Sequence, residues 1–386
     1  MQEHPTIGII GAGQLGRYLC EAARALGLRT VIMTDDPAPP AAAFADATIH
    51  GGLEDLAAAR ALVAACDVVT FEIESVGVPV LEFLVEVARL GLVAVRPRPE
   101  ILLTLRNKAL QKAWLVDNGL PTASFTAYSD TDSLRAAVAS GAHHYPWVQK
   151  TQVGGYDGRG VHIVRGSEDL GALLPGPCLV EAFVPHVAEL GVVVARSADG
   201  TLSSYDPVLL QFEASQHILD AALVPAGLEP ELAASAVLLA ERTVAALDGI
   251  GVFALELFLT ADHALLVNEI SPRVHNSGHL TLEACATSQV AQHLRAVAGR
   301  PLGDVTLNGP TVMRNLLWRG AAGPAPNVAA RLPGTSARVY WYDKAEGRPW
   351  RKMGHVTARG ATLELAIAEA EAGCRAVRDA TGGACW

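Results

Sequence analysis

Two apolar runs that each contain one glutamate constrain the fold more than any other feature of this sequence. Glu256 and Glu269 lie thirteen positions apart, and the turn sequence 261–263 stands between them. This pattern predicts an antiparallel hairpin that holds the two carboxylates side by side. Carboxylates in apolar strands need a compensating cation, which a divalent ion bridging phosphate oxygens would supply. The alternative is a structural pair neutralised by Arg273 and water.

Composition limits the class of protein. With 386 residues, of which 50% are hydrophobic and 18% charged, the chain can form two or three domains with large cores. Its net charge of -10 and scattered basic residues argue against nucleic acid or a membrane as a partner. A basic leader and a long apolar run are missing, so we expect a cytoplasmic protein. Six widely spaced cysteines without a C-x-x-C pair indicate neither a disulfide framework nor a zinc ribbon.

Strand and helix patterns alternate at the start of the chain. Residues 6–10, 29–34 and 67–71 have strand patterns, and residues 14–26 have a helical one. Such alternation predicts a parallel sheet with crossover helices. Prolines in 96–99 then break any helix or central strand, so we place the first domain boundary there.

The turn 11–16 between the first strand and helix fits G-x-G-x-x-G, which can form a phosphate-binding nest. Asp35 stands where a dinucleotide site has its ribose-binding acid, so a nicotinamide-dependent dehydrogenase is one interpretation. In a second interpretation, the glycines serve only the tight turn and the close packing of the helix on the strand. We favour a third, in which the turn presents its amides and Gln14 to a mononucleotide. Glu72 and Glu74 follow the next strand on the same edge and are candidates for binding a ribose.

The sequence after residue 98 has a mixed pattern. A helix containing Lys108 is followed by strands and helices, and 301–304 is predicted to be a linker. The last part has strand patterns at 312–317 and 337–342 and a helix at 363–380.

A second glycine-rich stretch, 154–160, follows a strand that ends in Lys150. Such a pair can clamp phosphate, because the lysine supplies a charge and the loop supplies backbone donors. The alternative is a long hairpin turn with incidental charge. The apolar strand exit 179–184 could pair through its backbone with an adenine edge, and Glu189 could reach a ribose.

His275 and His279 have the i, i+4 spacing of a helical zinc pair, but the residues between them are poor helix formers. We prefer an interpretation in which Arg273, His275 and Asn276 orient an anionic intermediate beside the metal. Near the end, 341–355 has the pattern of a basic hairpin, for which charge alone is equally consistent with a solvated surface.

Together these motifs resemble those of the 5-(carboxyamino)imidazole ribonucleotide synthases, ATP-grasp ligases of purine biosynthesis. The matching segments are GAGQLG at 11–16, TFEIE at 70–74, NKALQK at 107–112, GGYDGRG at 154–160, NEISPRVHNSGH at 268–279, TSQ at 287–289 and RKMGH at 351–355. The resemblance implies an α/β fold in three parts: a Rossmann-like substrate domain at 1–98, an ATP-grasp domain at 99–305 and a small C-terminal cap at 306–386.

The resemblance also implies the reaction. ATP would phosphorylate bicarbonate to carboxyphosphate, which would carboxylate aminoimidazole ribonucleotide, with Mg²⁺ neutralising the transferring phosphoryl oxygens. ATP and Mg²⁺ would be the cofactors, and the active form would be a homodimer.

Four sets of site residues follow from the resemblance. Glu256 and Glu269 would bind Mg²⁺. The residues around bicarbonate would be Tyr156, Asp157, Arg159, Arg273 and His275. Aminoimidazole ribonucleotide would contact Gln14, Leu15, Glu72, Arg273, Asn276, Lys344 and Arg351. ATP would contact Lys108, Lys150, Gly155, Tyr156, Asp157, Gly158, Arg159, Gly160, Val161, Glu181, Ala182, Phe183, Val184, Glu189, Asn268 and Glu269.

Some positions depart from the family pattern. Lys108 stands where many members of the family have arginine, and it keeps the positive charge. Ser271 stands where alanine is common, and its side chain is nearly the same size. Segment 207–217 lacks the E-N-x-H signature of many relatives, so we assign no ATP contact to it. Another ATP-grasp enzyme, such as formate-dependent glycinamide ribonucleotide transformylase, would share the architecture but not H-N-S-G-H together with R-K-M-G-H. A dehydrogenase would leave both glutamates unexplained, and a catalytically dead module is disfavoured because no expected carboxylate or lysine is missing.

Overall fold

The first sheet is parallel, as the alternating pattern predicts. The computed structural model describes residues 4–155 and 159–386. The elements of this part are β1 (Thr6–Ile10), α1 (Gln14–Ala25), β2 (Arg29–Thr34), β3 (Ala47–His50), α2 (Leu56–Ala65), β4 (Val68–Phe71), α3 (Val78–Arg89) and β5 (Ala94–Val95). The strand order is β3-β2-β1-β4-β5, with parallel pairing throughout. Carboxyl ends of β1 and β4 therefore meet at one edge, where ligands of open α/β sheets bind.

A small antiparallel sheet follows two helices. Its segment contains α4 (Pro99–Leu105), α5 (Lys108–Asp117), β6 (Phe125–Tyr128), α6 (Thr131–Ala139), β7 (Trp147–Thr151), β8 (Val161–Val164) and β9 (Cys178–Ala182). The strand order is β6-β9-β7-β8. Asn107 caps α5 by accepting hydrogen bonds from the amides of Ala109 and Leu110, which fixes Lys108 at the first helical position. Lys150 lies opposite Val161 at the base of the glycine-rich connection.

The largest sheet contains the predicted glutamate hairpin. Its segment contains β10 (His186–Arg196), β11 (Leu202–Ser204), β12 (Val208–Phe212), β13 (Leu219–Val224), α7 (Pro230–Leu247), β14 (Gly251–Thr260), β15 (Leu265–Ser271), α8 (Thr281–Ala284) and α9 (Gln289–Val297). Strands β14 and β15 pair antiparallel with Glu256 opposite Glu269, so the hairpin prediction is confirmed. Leu19, Val193 and Leu294 share one buried core cluster, which joins α1 to this sheet.

The sheet continues into the last part of the chain. That part contains β16 (Thr311–Leu317), β17 (Gly323–Pro324), β18 (Arg338–Trp341), β19 (Glu346–Gly347), β20 (Lys352–Arg359) and α10 (Leu363–Ala380). The order is β15-β14-β10-β12-β13-β16-β20-β18, so hydrogen bonding crosses the predicted boundary at residue 306. The division 1–98, 99–305 and 306–386 remains a prediction. Within the described ranges, no helix is both long and apolar enough to cross a membrane.

Candidate active site

A cavity of about 1570 Å³ lies between the edge of the first sheet, the small sheet and the glutamate hairpin. The predicted site residues that line it are Gln14, Leu15, Glu72, Lys108, Lys150, Gly155, Arg159, Val161, Glu181, Ala182, Phe183, Val184, Glu189, Glu256, Asn268, Glu269, Arg273, His275, Asn276, Lys344 and Arg351. Gly160 is not among the lining residues in the described part of the chain; its carbonyl accepts a hydrogen bond from the amide of Thr151 at 2.8 Å. The predicted residues Tyr156, Asp157 and Gly158 lie outside the described residues.

The two hairpin glutamates have different electrostatic surroundings. Lys108 Nζ lies 2.6 Å from Glu269 Oε1. Burial favours a raised pKa for Glu269, but Lys108, Lys150 and His275 together outweigh burial, so the pKa of Glu269 is lowered. Burial and the neighbouring Glu269 charge instead raise the pKa of Glu256 to about 7. The pair is thus short of positive charge at Glu256, which is the condition that a divalent cation relieves.

A buried ion cluster contacts this hairpin through Asn268. Lys150 Nζ lies 2.9 Å from Glu181 Oε2 and donates a hydrogen bond to Asn268 Oδ1 at 2.9 Å. Lys112 Nζ lies 3.4 Å from the other oxygen of Glu181 and donates to Thr122 at 2.7 Å. Glu181 therefore orients two lysines with its side chain. The sequence predicted only a nucleotide contact for Glu181 and missed Lys112, although Lys112 stands in the NKALQK motif.

Two amides of the first glycine-rich turn are bonded to Glu72. Glu72 accepts a hydrogen bond from the Gly13 amide at 2.5 Å and another from the Gly16 amide. Gly11 has φ +102°, and a Cβ there would lie 2.4 Å from Glu72 Cγ. The Glu72 carboxylate therefore occupies the amides of Gly13 and Gly16, and these two amides are not presented to a mononucleotide as predicted. The contact of Gln14 with a mononucleotide stays a prediction. Glu72 still lines the cavity together with Gln14.

Arg273 and His275 have different carboxylate partners. Arg273 Nη2 lies 2.8 Å from Glu74 Oε1. The alternative in which Arg273 neutralises the hairpin glutamates is therefore wrong, since Lys108 pairs with Glu269 instead. His275 Nε2 lies 3.8 Å from Glu256 Oε1, and both side chains face the cavity.

The His275–His279 spacing does not form a metal pair. Residues Asn276–Gly278 form a 3₁₀ turn rather than an α-helix, and His279 is fully buried while His275 faces the cavity. No cluster of three potential ligands occurs among the described residues. Asn276 is held by two reciprocal amide hydrogen bonds with Asn315, at 3.1 and 2.7 Å.

The predicted basic hairpin faces the cavity. Lys344 Nζ donates to the Lys352 carbonyl at 2.6 Å, and an Arg351 guanidinium nitrogen donates to the Glu346 carbonyl at 2.7 Å. Lys344, Arg351 and Lys352 all line the cavity, so the hairpin forms part of the cavity wall, and its binding of phosphate stays a prediction. Lys352 was not selected from the sequence, although it belongs to the RKMGH motif.

The cavity is also lined by part of segment 207–217, for which no role was predicted. Phe212 and His217 line the cavity beside His186 and Glu189. His186 Nε2 lies 3.3 Å from Glu189 Oε1, and its ring stacks on Phe258 at 4.6 Å between centroids. Phe212 and His217 were not predicted, because the sequence lacks the E-N-x-H signature. No other local pattern marks the end of β12 and the loop after it as part of a site.

Comparisons with known proteins agree with this architecture. Residues 4–105 match the ribonucleotide synthetase preATP-grasp domain, 113–290 the ATP-grasp domain and 311–369 the phosphoribosylaminoimidazole carboxylase C-terminal domain. The fold and the cavity therefore define an ATP-grasp protein.

The relatives define the family more narrowly. N5-carboxyaminoimidazole ribonucleotide synthase of Synechococcus elongatus is 39% identical, covering 91% of this chain and 88% of its own length. The crystal structure of N5-carboxyaminoimidazole ribonucleotide synthetase from Thermotoga maritima is 34% identical with a TM-score of 0.85, covering 96% of this chain and 98% of its own. The chain belongs to the N5-carboxyaminoimidazole ribonucleotide synthase family.

A further solved relative contains bound ligands. N5-carboxyaminoimidazole synthase from Aspergillus clavatus, in complex with ADP and 5-aminoimidazole ribonucleotide, is 32% identical with a TM-score of 0.84, covering 96% of this chain and 97% of its own.

Proposed function

We propose that the chain carboxylates 5-aminoimidazole ribonucleotide with bicarbonate at the expense of ATP, a step of purine biosynthesis. A bicarbonate oxygen attacks the γ-phosphorus and ADP leaves. The exocyclic amine then attacks the carbon of carboxyphosphate, and phosphate leaves to give 5-(carboxyamino)imidazole ribonucleotide. One observation carries the proposal: an acidic pair with lysines and a separate basic hairpin line the same cavity.

The hairpin glutamates suit a magnesium ion. Glu256 and Glu269 lie opposite each other, and Asn268 adds an amide oxygen nearby. The raised pKa of Glu256, which results from burial and from Glu269, supports a need for more positive charge at this wall. Mg²⁺ bound to these residues would neutralise phosphate oxygens during transfer.

The nucleotide lies along Lys108 and Lys150 and along the residues that follow β9. Lys108 and Lys150 supply positive charge to its phosphates, and both line the cavity. The backbone at Phe183 and Val184 pairs with the adenine, and Glu189 binds the ribose. All three residues line the cavity together with Lys108 and Lys150, which supports this placement.

The carboxyphosphate step uses the residues between the two substrates. Arg273, held by Glu74 at 2.8 Å, binds the anion, and His275 lies 3.8 Å from Glu256 at the metal wall. Arg159 lines the same cavity, and the roles of Tyr156 and Asp157 remain predictions. Fixed charges that surround a transferring phosphoryl group lower the barrier and limit hydrolysis of the mixed anhydride.

The ribonucleotide lies between α1 and the basic hairpin. Lys344 and Arg351 bind its phosphate, because both cations are anchored on backbone carbonyls at 2.6 and 2.7 Å and still face the cavity. Gln14 and Leu15, at the first helical turn of α1, contact the rest of the substrate.

Omitting each substrate in turn tests the proposed function. We expect fast ADP release only when Mg²⁺, ATP, bicarbonate and 5-aminoimidazole ribonucleotide are all present. Glycinamide ribonucleotide with formate is the control for another ATP-grasp specificity. Equal or faster ADP release with that pair would reject the proposed substrates while retaining the nucleotide site.

The homodimer and the cytoplasmic location remain predictions. Sedimentation equilibrium of the full chain measures the first, and a mass of one subunit at micromolar concentration would contradict it.

A further inference from the structure

Three rings from distant parts of the chain meet behind the active site. Tyr18 comes from α1, His279 from the turn after β15 and His355 from β20. His279 and His355 are fully buried and stack at 5.0 Å between ring centroids, and Tyr18 meets their edges at 5.4 and 6.2 Å. Neither histidine has a role in the proposed function, although each ends one of the two motifs that distinguish this family from other ATP-grasp enzymes.

One side of this cluster holds the turn that presents His275. The Gln289 amide accepts a hydrogen bond from the His275 amide at 3.0 Å and donates to the His275 carbonyl at 2.6 Å. These two bonds fix which end of the Gln289 side chain carries the N–H groups. The same nitrogen lies 3.2 Å from His279 Nδ1, so Nδ1 accepts and the proton of neutral His279 lies on Nε2.

The other side holds the basic hairpin. His355 lies opposite Tyr340 in the β18–β20 pairing, and its ring stacks on Tyr340 at 4.6 Å. Its Nδ1 lies 3.0 Å from the Tyr342 hydroxyl. Tyr342 stands two residues before Lys344, and His355 four residues after Arg351, so these contacts form the base of the predicted phosphate clamp.

Three polar atoms in this cluster are buried without a hydrogen-bond partner in the structure: the Tyr18 hydroxyl, His279 Nε2 and His355 Nε2. Burial lowers the pKa of His355 to about 3 and that of His279 well below its usual range, so both imidazoles are neutral. A neutral imidazole whose Nδ1 is bonded still has Nε2 as a donor or acceptor. Leaving three such atoms unbonded is costly, and a water molecule that bonds them would remove the cost.

We propose that Tyr18, His279 and His355 bind one internal water, and that this hydrated cluster positions the His275 turn relative to the Lys344–Arg351 hairpin. The three residues are positioning residues, since none of them lines the cavity in the described part of the chain. The cluster joins the turn, the hairpin and α1, the helix that begins with Gln14. Loss of the shared water would therefore disturb the ribonucleotide half of the site more than the nucleotide half.

Tyr18→Phe is the sharpest test, because it removes one hydroxyl and keeps the ring contacts. We expect the KM for 5-aminoimidazole ribonucleotide to rise about three- to tenfold while the KM for ATP changes less than twofold, as expected for loss of one hydrogen bond in a positioning network. Tyr128→Phe is the matched control. It removes a hydroxyl bonded to His143 at 2.6 Å in the small sheet, and we expect both KM values to stay unchanged.

A high-resolution crystal structure of the wild-type chain tests the water without relying on activity. Density for one solvent molecule within hydrogen-bonding distance of all three atoms supports the proposal, and its loss in Tyr18→Phe supports the assignment of the hydroxyl. Dry contact among the three side chains would overturn it. The kinetic consequence rests on the proposed function, so it is measured only after the wild-type chain carboxylates the ribonucleotide. Equal changes in both KM values, or none, would refute the positioning role even with the water present.

Discussion

Replacing Glu181 with glutamine should destabilise the protein strongly, because Glu181 is the shared anion of two buried lysines. The side chains of Glu181 and Lys112 are 3% and 2% exposed, and that of Lys150 is 10% exposed. Glu181→Gln leaves two cations without their carboxylate. Removing one partner of a buried ion pair costs about 3–5 kcal/mol. Burial lowers the pKa of Lys112 to about 8, so the variant can release that proton, and we expect the lower end, about 3 kcal/mol.

Urea unfolding at pH 7 without ATP measures this loss. Trp147, one of six tryptophans, is buried in the same small sheet, so tryptophan fluorescence follows unfolding of the whole chain with that sheet included. Glu86→Gln is the matched control. It breaks an ion pair with Arg89 whose side chains are 54% and 66% exposed, and we expect no measurable change. A loss below about 1 kcal/mol for Glu181→Gln would refute the view that this cluster depends on its single carboxylate.

Three further perturbations test separate parts of the account. Arg351→Ala should raise the KM for 5-aminoimidazole ribonucleotide roughly ten- to hundredfold and leave the KM for ATP unchanged, because it removes a charge-assisted phosphate contact. Arg348→Ala, on the same hairpin but pairing with Glu346 in solvent, should change neither value. Gly11→Ala should lower stability by about 1–3 kcal/mol more than Gly91→Ala. Both glycines have positive φ, but a Cβ at Gly11 would lie 2.4 Å from another side chain, whereas at Gly91 nothing lies within 4 Å; equal losses in urea unfolding would contradict the clash. Burial lowers the pKa of His293 to about 4, so its stabilisation is complete above pH 6.5 and is lost as pH falls. The stability difference between wild type and His293→Gln should therefore shrink by about 3 kcal/mol between pH 7.5 and 4, and a constant difference would refute this.

Local patterns predicted the elements well. The bounds of β1, β2 and α10 agree with the sequence because apolar periodicity and flanking turn residues define each of them. The pairing of β13 with β16 could not be predicted, since Ala222 and Met313 are opposite each other across a long intervening segment. Nothing in either strand's own sequence specifies that partner.

The same distinction applies to the site. Glu256 and Glu269 were predicted to be adjacent because a short hairpin fixes their register. The bonds from Gly13 and Gly16 to Glu72 were missed because they join residues more than fifty positions apart. The predicted turn is present, but the protein's own Glu72 carboxylate accepts hydrogen bonds from its Gly13 and Gly16 amides. Lys112 was missed for a similar reason, because only the arrangement of α5 against β9 brings it to Glu181.

Incorporation of labelled bicarbonate tests the central claim most directly. The purified chain, supplied with Mg²⁺, ATP, 5-aminoimidazole ribonucleotide and ¹⁴C-bicarbonate, should form an acid-labile labelled imidazole product in equal amount to the ADP released. Omitting ATP should abolish the label. ADP release without any labelled product, with all components present, would contradict the assignment of this cavity to ribonucleotide carboxylation.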